Sequence, residues 1–141
     1  MIDLLPALYT HLTTDPKVNQ FIGTRIFPHF IPQEEPLPAL VWTVDGVNRE
    51  PRNYNGLVEA FIDIEIRVDG LDYGTAQSIA DELRKSIDSF QGDLEGFEVR
   101  GIFLDNQLER YVPPRDGTGS GTLVFIQEFR MWFRETLALA C

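Results

Sequence analysis

The chain has 141 residues, 43% of them hydrophobic and 24% charged, enough for one domain with a real core and too apolar for wholesale disorder. Its 22 acidic residues against 12 Lys and Arg give a formal charge of −10, which argues against gripping nucleic acid over the general surface. Cys141, the one cysteine, leaves no internal disulfide or cysteine metal cluster, and no apolar run nears the roughly 20 residues that span a bilayer.

The opening Met-Ile-Asp-Leu-Leu-Pro lacks a basic segment followed by a long apolar core, so no signal peptide and an intracellular site of synthesis are expected. Residues 2–13 set Ile2, Leu5, Leu8, Tyr9 and Leu12 at helical spacing, with Asp3 as a cap and Pro6 near the first turn. Asp15-Pro16 restarts a helix, with Asp15 as N-cap and Pro16 in its first position. Val18, Phe21 and Ile22 supply its apolar side, and Gly23 ends it.

Pro28, Pro32, Pro36 and Pro38 forbid a helix or a central strand and predict an extended crossover. Residues 39–45 read as the first secure strand, with Leu40, Trp42 and Val44 on one face. A polar loop over 46–56 leads to the strongest strand of the chain, making a long-looped hairpin. There Val58, Ala60, Ile62, Ile64, Ile66 and Val68 alternate with Glu59, Asp63, Glu65, Arg67 and Asp69, broken only by Phe61. The helix that follows carries Ala76, Ile79, Ala80, Leu83, Ile87 and Phe90 in one stripe, the natural cover for that strand's apolar face.

Residues 91–96 read as a turn. The third strand, 97–110, slips phase between Val99 and Ile102, and a bulge near Gly101 would return Ile102, Leu104 and Leu108 to one buried face. A glycine-rich tip over 111–121 precedes the last strand, 122–134. Leu123, Phe125, Phe129, Met131 and Phe133 share one face of it, and apolar residues on both sides of its first half predict a central position. The expectation is a single α+β domain over residues 1–141, ordered α-α-β-β-α-β-β. A four-stranded, mainly antiparallel sheet would carry the helices on one face and leave the other free.

Chemistry-bearing groups are sparse. His11 and His29 lie in separate elements and form no metal-binding pair. Glu34-Glu35 sits between prolines as a solvated loop, and Cys141 has no orienting base. The run Gly117-Thr118-Gly119-Ser120-Gly121 precedes a strand and lacks a lysine, so it reads as a hairpin tip and not a phosphate loop. Arg49, Arg52, Arg110 and Arg115, together with Tyr54, lie in or beside the two long loops. These are either ordinary solvated loops or docking arms with basic tips on an acidic body.

The ordered pattern resembles the tail-completion, or tail-terminator, proteins of long-tailed bacteriophages, which gene-transfer-agent particles also use. The resemblance runs through Asp15-Pro16, Phe21-Ile22-Gly23, Arg25-Ile26-Phe27-Pro28, Pro38-Ala39-Leu40-Val41-Trp42 and Ile62-Asp63-Ile64-Glu65-Ile66. It continues in Tyr73, Ala76, Ile79-Ala80-Asp81 and Leu83-Arg84 and closes with Phe129-Arg130-Met131-Trp132-Phe133. It implies a structural virion protein without enzymatic activity or cofactor, assembled in the host cytoplasm into a ring, usually of six copies. Such a ring would cap the tail tube and join it to the head connector or stopper, with DNA passing through unbound. On that reading Arg49, Arg52, Tyr54, Arg110 and Arg115 would meet partners, while Glu59, Asp63, Glu65 and Asp69 would form a lumen wall or a subunit contact. The alternatives are another neck component, an adaptor or stopper, or a small α+β ligand-binding domain or enzyme.

Overall fold

The computed structural model describes residues 4–28, 37–49, 57–88, 90–94, 97–114, 117, 119 and 121–134. Helices α1 (Leu4–Thr14) and α2 (Pro16–Ile22) are separated by Asp15, whose carboxylate accepts from the backbone N–H groups of Lys17 at 2.9 Å and Val18 at 3.4 Å. That is the expected N-cap, satisfying donors a new helix leaves free. Gly23 closes α2 at φ 57°, its N–H reaching the Asn19 carbonyl at 2.8 Å, in a backbone conformation open to a residue without Cβ.

The strands are β1 (Ile26–Pro28), β2 (Ala39–Arg49), β3 (Leu57–Asp69), β4 (Gly92–Leu94), β5 (Phe97–Val112) and β6 (Thr122–Arg134), with helix α3 (Tyr73–Ile87) between β3 and β4. They form one mixed sheet in the order β1-β2-β3-β6-β5-β4. β1 runs parallel to β2, and the other pairs are antiparallel. β6 is central, paired along its whole length to β3, which accounts for its apolar residues on both faces.

All three helices share one face with the sheet's apolar rows. Leu12 of α1, Val18 and Ile22 of α2, and Ala76, Ile79, Ala80, Leu83 and Ile87 of α3 join the even-numbered row of β3 and Phe125, Phe129, Met131 and Phe133 of β6 in one core. Each of these large side chains contributes about 1.5–3 kcal/mol by leaving water. His11 donates from Nε2 to the Ser86 carbonyl at 3.2 Å and packs edge-on to Phe90, so it pins α1 to the end of α3. In the β6 core row stands Gln127, fully buried, donating from Nε2 to the Ala80 carbonyl and to Gln107 Oε1, both at 3.0 Å.

Several expectations need correction. The sheet has six strands and is mixed, because the short edge strands β1 and β4 add to the four long antiparallel ones. The element order is therefore α-α-β-β-β-α-β-β-β. β1 lies where a crossover is predicted, and β4 where a turn is predicted; Pro28 is tolerated because β1 is an edge strand. β2 does not stop at Asp45. A bulge between Val44 and Gly46 absorbs one residue, and pairing continues to Arg49 opposite Val58. α3 ends at Ile87, short of Phe90. β5 has the expected bulge between Val99 and Gly101, and a second between Leu104 and Asn106. The second flips the alternation again, so Leu108 leaves the core face and is 40% exposed. Asp3, His29, Glu34, Glu35 and Cys141 lie outside the described residues.

Candidate assembly surface

The sheet face opposite the helices carries the charged half of every long strand. Cross-strand register arranges it in rows. Arg67, Val124 and Arg110 form one; Val41, Glu65, Ile126 and Leu108 the next; then Thr43, Asp63, Glu128 and Asn106. Beyond these come Gly46, Phe61, Arg130 and Phe103, and then Asn48, Glu59, Trp132 and Gly101. Acidic groups therefore gather mid-face, flanked by arginines towards both ends.

The middle is held by paired charges and hydrogen bonds. Arg67 Nη2 donates to Glu65 at 2.9 Å, and Asn106 Nδ2 to Glu128 at 3.1 Å. Arg130 lies 3.4 Å from Asp105 and 3.9 Å from Glu59, which is 9% exposed. Among the described residues no cation pairs with Asp63. Burial pushes its carboxyl up, and a hydrogen bond with Asp45 and the charges of Asp45, Glu128 and Glu65 push it further, to about 7. Glu65 and Glu128 are engaged elsewhere, so Asp63 keeps its proton up to near neutrality, hydrogen-bonded to Asp45.

Of the predicted acidic row, Glu59, Asp63 and Glu65 occupy this face. Asp69 stands at the end of β3, where its carboxylate accepts from the Leu71 N–H at 3.0 Å and shapes the turn into α3. Arg49 belongs to the end of β2, not to a loop, and Arg110 is an exposed residue of β5 opposite Val124. Arg52, Tyr54 and Arg115 lie outside the described residues. Asp45, Asp105, Glu128 and Arg130 complete the face. Strand alternation marks Glu128 and Arg130, whereas the bulges that expose Asp45 and Asp105 depend on pairing.

The two long hairpins open at opposite ends of the sheet. The β2–β3 connection leaves beside Arg49, Val58 and the last residue of β6, since Leu57 pairs with Arg134. The β5–β6 connection leaves beside Asp69, which pairs with Thr122, itself opposite Val112. β3 links the two ends, and at the usual strand rise its length is about 40 Å. The predicted basic positions are thus split, with Arg49 at one end and Arg110 near the other.

Among the described residues no helix is long and apolar enough to cross a membrane, and no group of three or more His, Cys, Asp or Glu is placed to hold a metal ion. In the gene transfer agent virion, one chain is similar in fold: TM-score 0.71, 16% identity, with 94% of this chain and 95% of that chain covered. Curated proteins give no match. The family model described as "Tail completion protein gp17" matches residues 6–133, from α1 to the penultimate residue of β6. The chain belongs to the tail completion protein gp17 family and is a component of the virion tail.

Proposed function

We propose that this chain is the subunit of a ring that ends the tail tube and joins it to the head connector. The observation that carries the reading is the placement of the two hairpin arms at opposite ends of one rigid sheet, about 40 Å apart. A joining protein needs one contact surface facing the tube and another facing the head, and loops on a rigid sheet suit both. Arg49, Arg52 and Tyr54 belong to one contact, and Arg110 and Arg115 to the other.

A closed ring, usually of six copies in proteins this chain resembles, would turn the helix-free face inward. Its acidic centre, Asp63, Glu65 and Glu128 with Asp45, repels phosphate, so DNA slides past without being held. The role is structural, and no reacting group is assigned.

The test is to delete the gene from the particle that encodes it and to image the products. Separate tubes and filled heads are expected, and restoring the chain in trans should rejoin them. Truncating the arms beyond the paired residues, 50–56 and 113–121 in turn, should abolish binding to different partners in pull-downs with tube protein and connector. Joined tails in particles lacking the chain would overturn the reading, and loss of the same partner by both truncations would overturn the two-ended assignment.

A further inference from the structure

Exposed large apolar side chains gather at the end of the sheet where the β5–β6 connection leaves. Leu71 is 83% exposed, and Tyr73, Tyr111 and Val112 are each close to half exposed. They form one patch. Tyr73, at the start of α3, donates from its hydroxyl to Glu109 at 2.9 Å, and Glu109 shares the helix side of β5 with Tyr111, opposite Phe125 and Leu123. Tyr111 lies against Gly121, where an added Cβ would stand 2.6 Å from its hydroxyl. The Gly121 carbonyl in turn accepts from the Gly70 N–H at 3.0 Å, and Leu71 and Tyr73 follow in the chain. Val112 carries the apolar surface to the other side of β5, opposite Thr122. Single exposed apolar groups need no explanation, but a contiguous set marks a contact surface.

The patch is held in shape by its own bonds. The turn that presents Leu71 is fixed by the Gly70 bond, by the Leu71 N–H donating to the Asp69 carboxylate at 3.0 Å, and by the Asp72 N–H donating to the Asp69 carbonyl at 2.9 Å. The Tyr73 ring packs edge-on to Phe125, with centroids 5.4 Å apart. Anchors that are already ordered lose little freedom when a partner arrives, which favours them as the strongest points of an interface.

Its border is acidic. Asp69, Asp72 and Glu109 are exposed around it, and the Asp72 side chain, at the N-cap of α3, caps no helix N–H. Two copies meeting patch to patch would set these three carboxylates against the same three, so the surface suits a different protein. The complementary partner is an apolar loop flanked by Lys or Arg. Contacts that last the life of an assembly are also more apolar than transient ones. For a component of the virion tail, the lasting neighbour is the tube.

We propose that the end of the sheet bearing Leu71, Tyr73, Tyr111 and Val112 is the seat of the tail tube, whose last subunits lay an apolar, basic-flanked loop on it, with Leu71 as the central anchor. This rests on the ring reading and gives the two ends a polarity. The β5–β6 end faces the tube, and the β2–β3 end faces the head.

The test uses the full chain and tubes assembled from the particle's own tube protein. Leu71→Glu adds a fourth carboxylate to the patch, and Leu71→Met keeps it apolar; at so exposed a position both should melt with the parent. Co-sedimentation should show tube binding about tenfold weaker or worse for Leu71→Glu and unchanged for Leu71→Met, with connector binding alike in all three. Leu71→Glu holding tubes as tightly as the parent would overturn the seat. Loss of connector binding, alone or together with tube binding, would overturn the polarity and leave the ring reading standing. Weaker self-association of Leu71→Glu in the absence of tubes would overturn the tube as occupant and give the patch to contacts between copies. A parent chain that binds the connector and not tubes would overturn the seat alone, and one that binds neither would overturn the ring reading with it.

Discussion

Replacing Asp63 with asparagine should stabilise the protein at alkaline pH and do little in acid. Asp63 titrates near 7 in the folded chain against an ordinary value of 3.8. Between these values the native state binds the extra proton and the unfolded state does not, so stability falls as pH rises from about 4 to about 7. Taken at face value the difference is worth about 4 kcal/mol, and solvent screening at this half-buried site reduces it to about 1–2 kcal/mol. The charged groups around it set the sign: Asp45 from β2, Glu65 from β3 and Glu128 from β6, with Arg67 committed to Glu65 and Arg130 to the row of Phe61. Asparagine keeps a donor for Asp45 and cannot ionise. Urea unfolding of both proteins at about pH 4.5 and about pH 8, on either side of that window, should give matching midpoints in acid and a more stable variant in base. The gain corresponds to about 3–8 °C in melting temperature for a chain of this size. Equal stability of parent and variant at the higher pH would refute this account of Asp63.

Gln127→Ala should cost about 2–4 kcal/mol in urea unfolding, because it opens a cavity and removes both bonds that tie β6 to α3 and β5. Gln127→Met, which refills the volume, should cost less than half as much. Asp15→Ala should cost about 1 kcal/mol through the lost N-cap. Burial raises the Asp15 carboxyl, but hydrogen bonds from Ser86 and from the Lys17 and Val18 N–H groups outweigh it and hold it below 3.8. The Asp15 deficit is therefore present above about pH 4 and fades as pH drops through the lowered value. Gly121→Ala should lower stability by about 1–3 kcal/mol, because φ is +77° and a Cβ would come within 2.6 Å of the Val112 carbonyl and the Tyr111 hydroxyl. Loss of amide-exchange protection confined to the β5–β6 tip would accompany it, and unaltered exchange there would contradict the assignment.

The long strands were legible because their side chains obey one period. The even row of β3 and the odd aromatics of β6 each need a buried face, and no helix accommodates either pattern. α2 was legible from Asp15, Pro16 and Gly23, whose backbone roles are local. β1 and β4 were not: three residues containing Pro28 or Gly92 carry no alternation, and they are strands because a longer neighbour offers an edge. Asp45-Gly46 looks like the start of a loop, since a bulge is defined by the opposing strand and not by its own residues. Leu108 was misplaced for the same reason, a second bulge reversing its face. The carboxylate cluster combines three strands through register, so Asp45, Asp63 and Glu128 are neighbours in space with no spacing in the chain to announce it. Gln127 stands in an apolar row as an apparent fault, and only the adjacent Ala80 carbonyl and Gln107 side chain give it a purpose.

The centre of the sheet is made last. During synthesis β2, β3, α3 and β5 emerge before β6, yet β3 and β5 do not touch as strands except through it. Until residue 134 has left the ribosome, the Ile62, Ile64 and Ile66 row has helix cover to one side and an open strand edge to the other. At about 5–20 residues per second that interval is on the order of seconds, long enough for neighbouring nascent chains to pair wrongly. The acids that alternate with those isoleucines, Asp63 and Glu65, then serve as gatekeepers against co-translational aggregation, a duty they discharge before any virion exists.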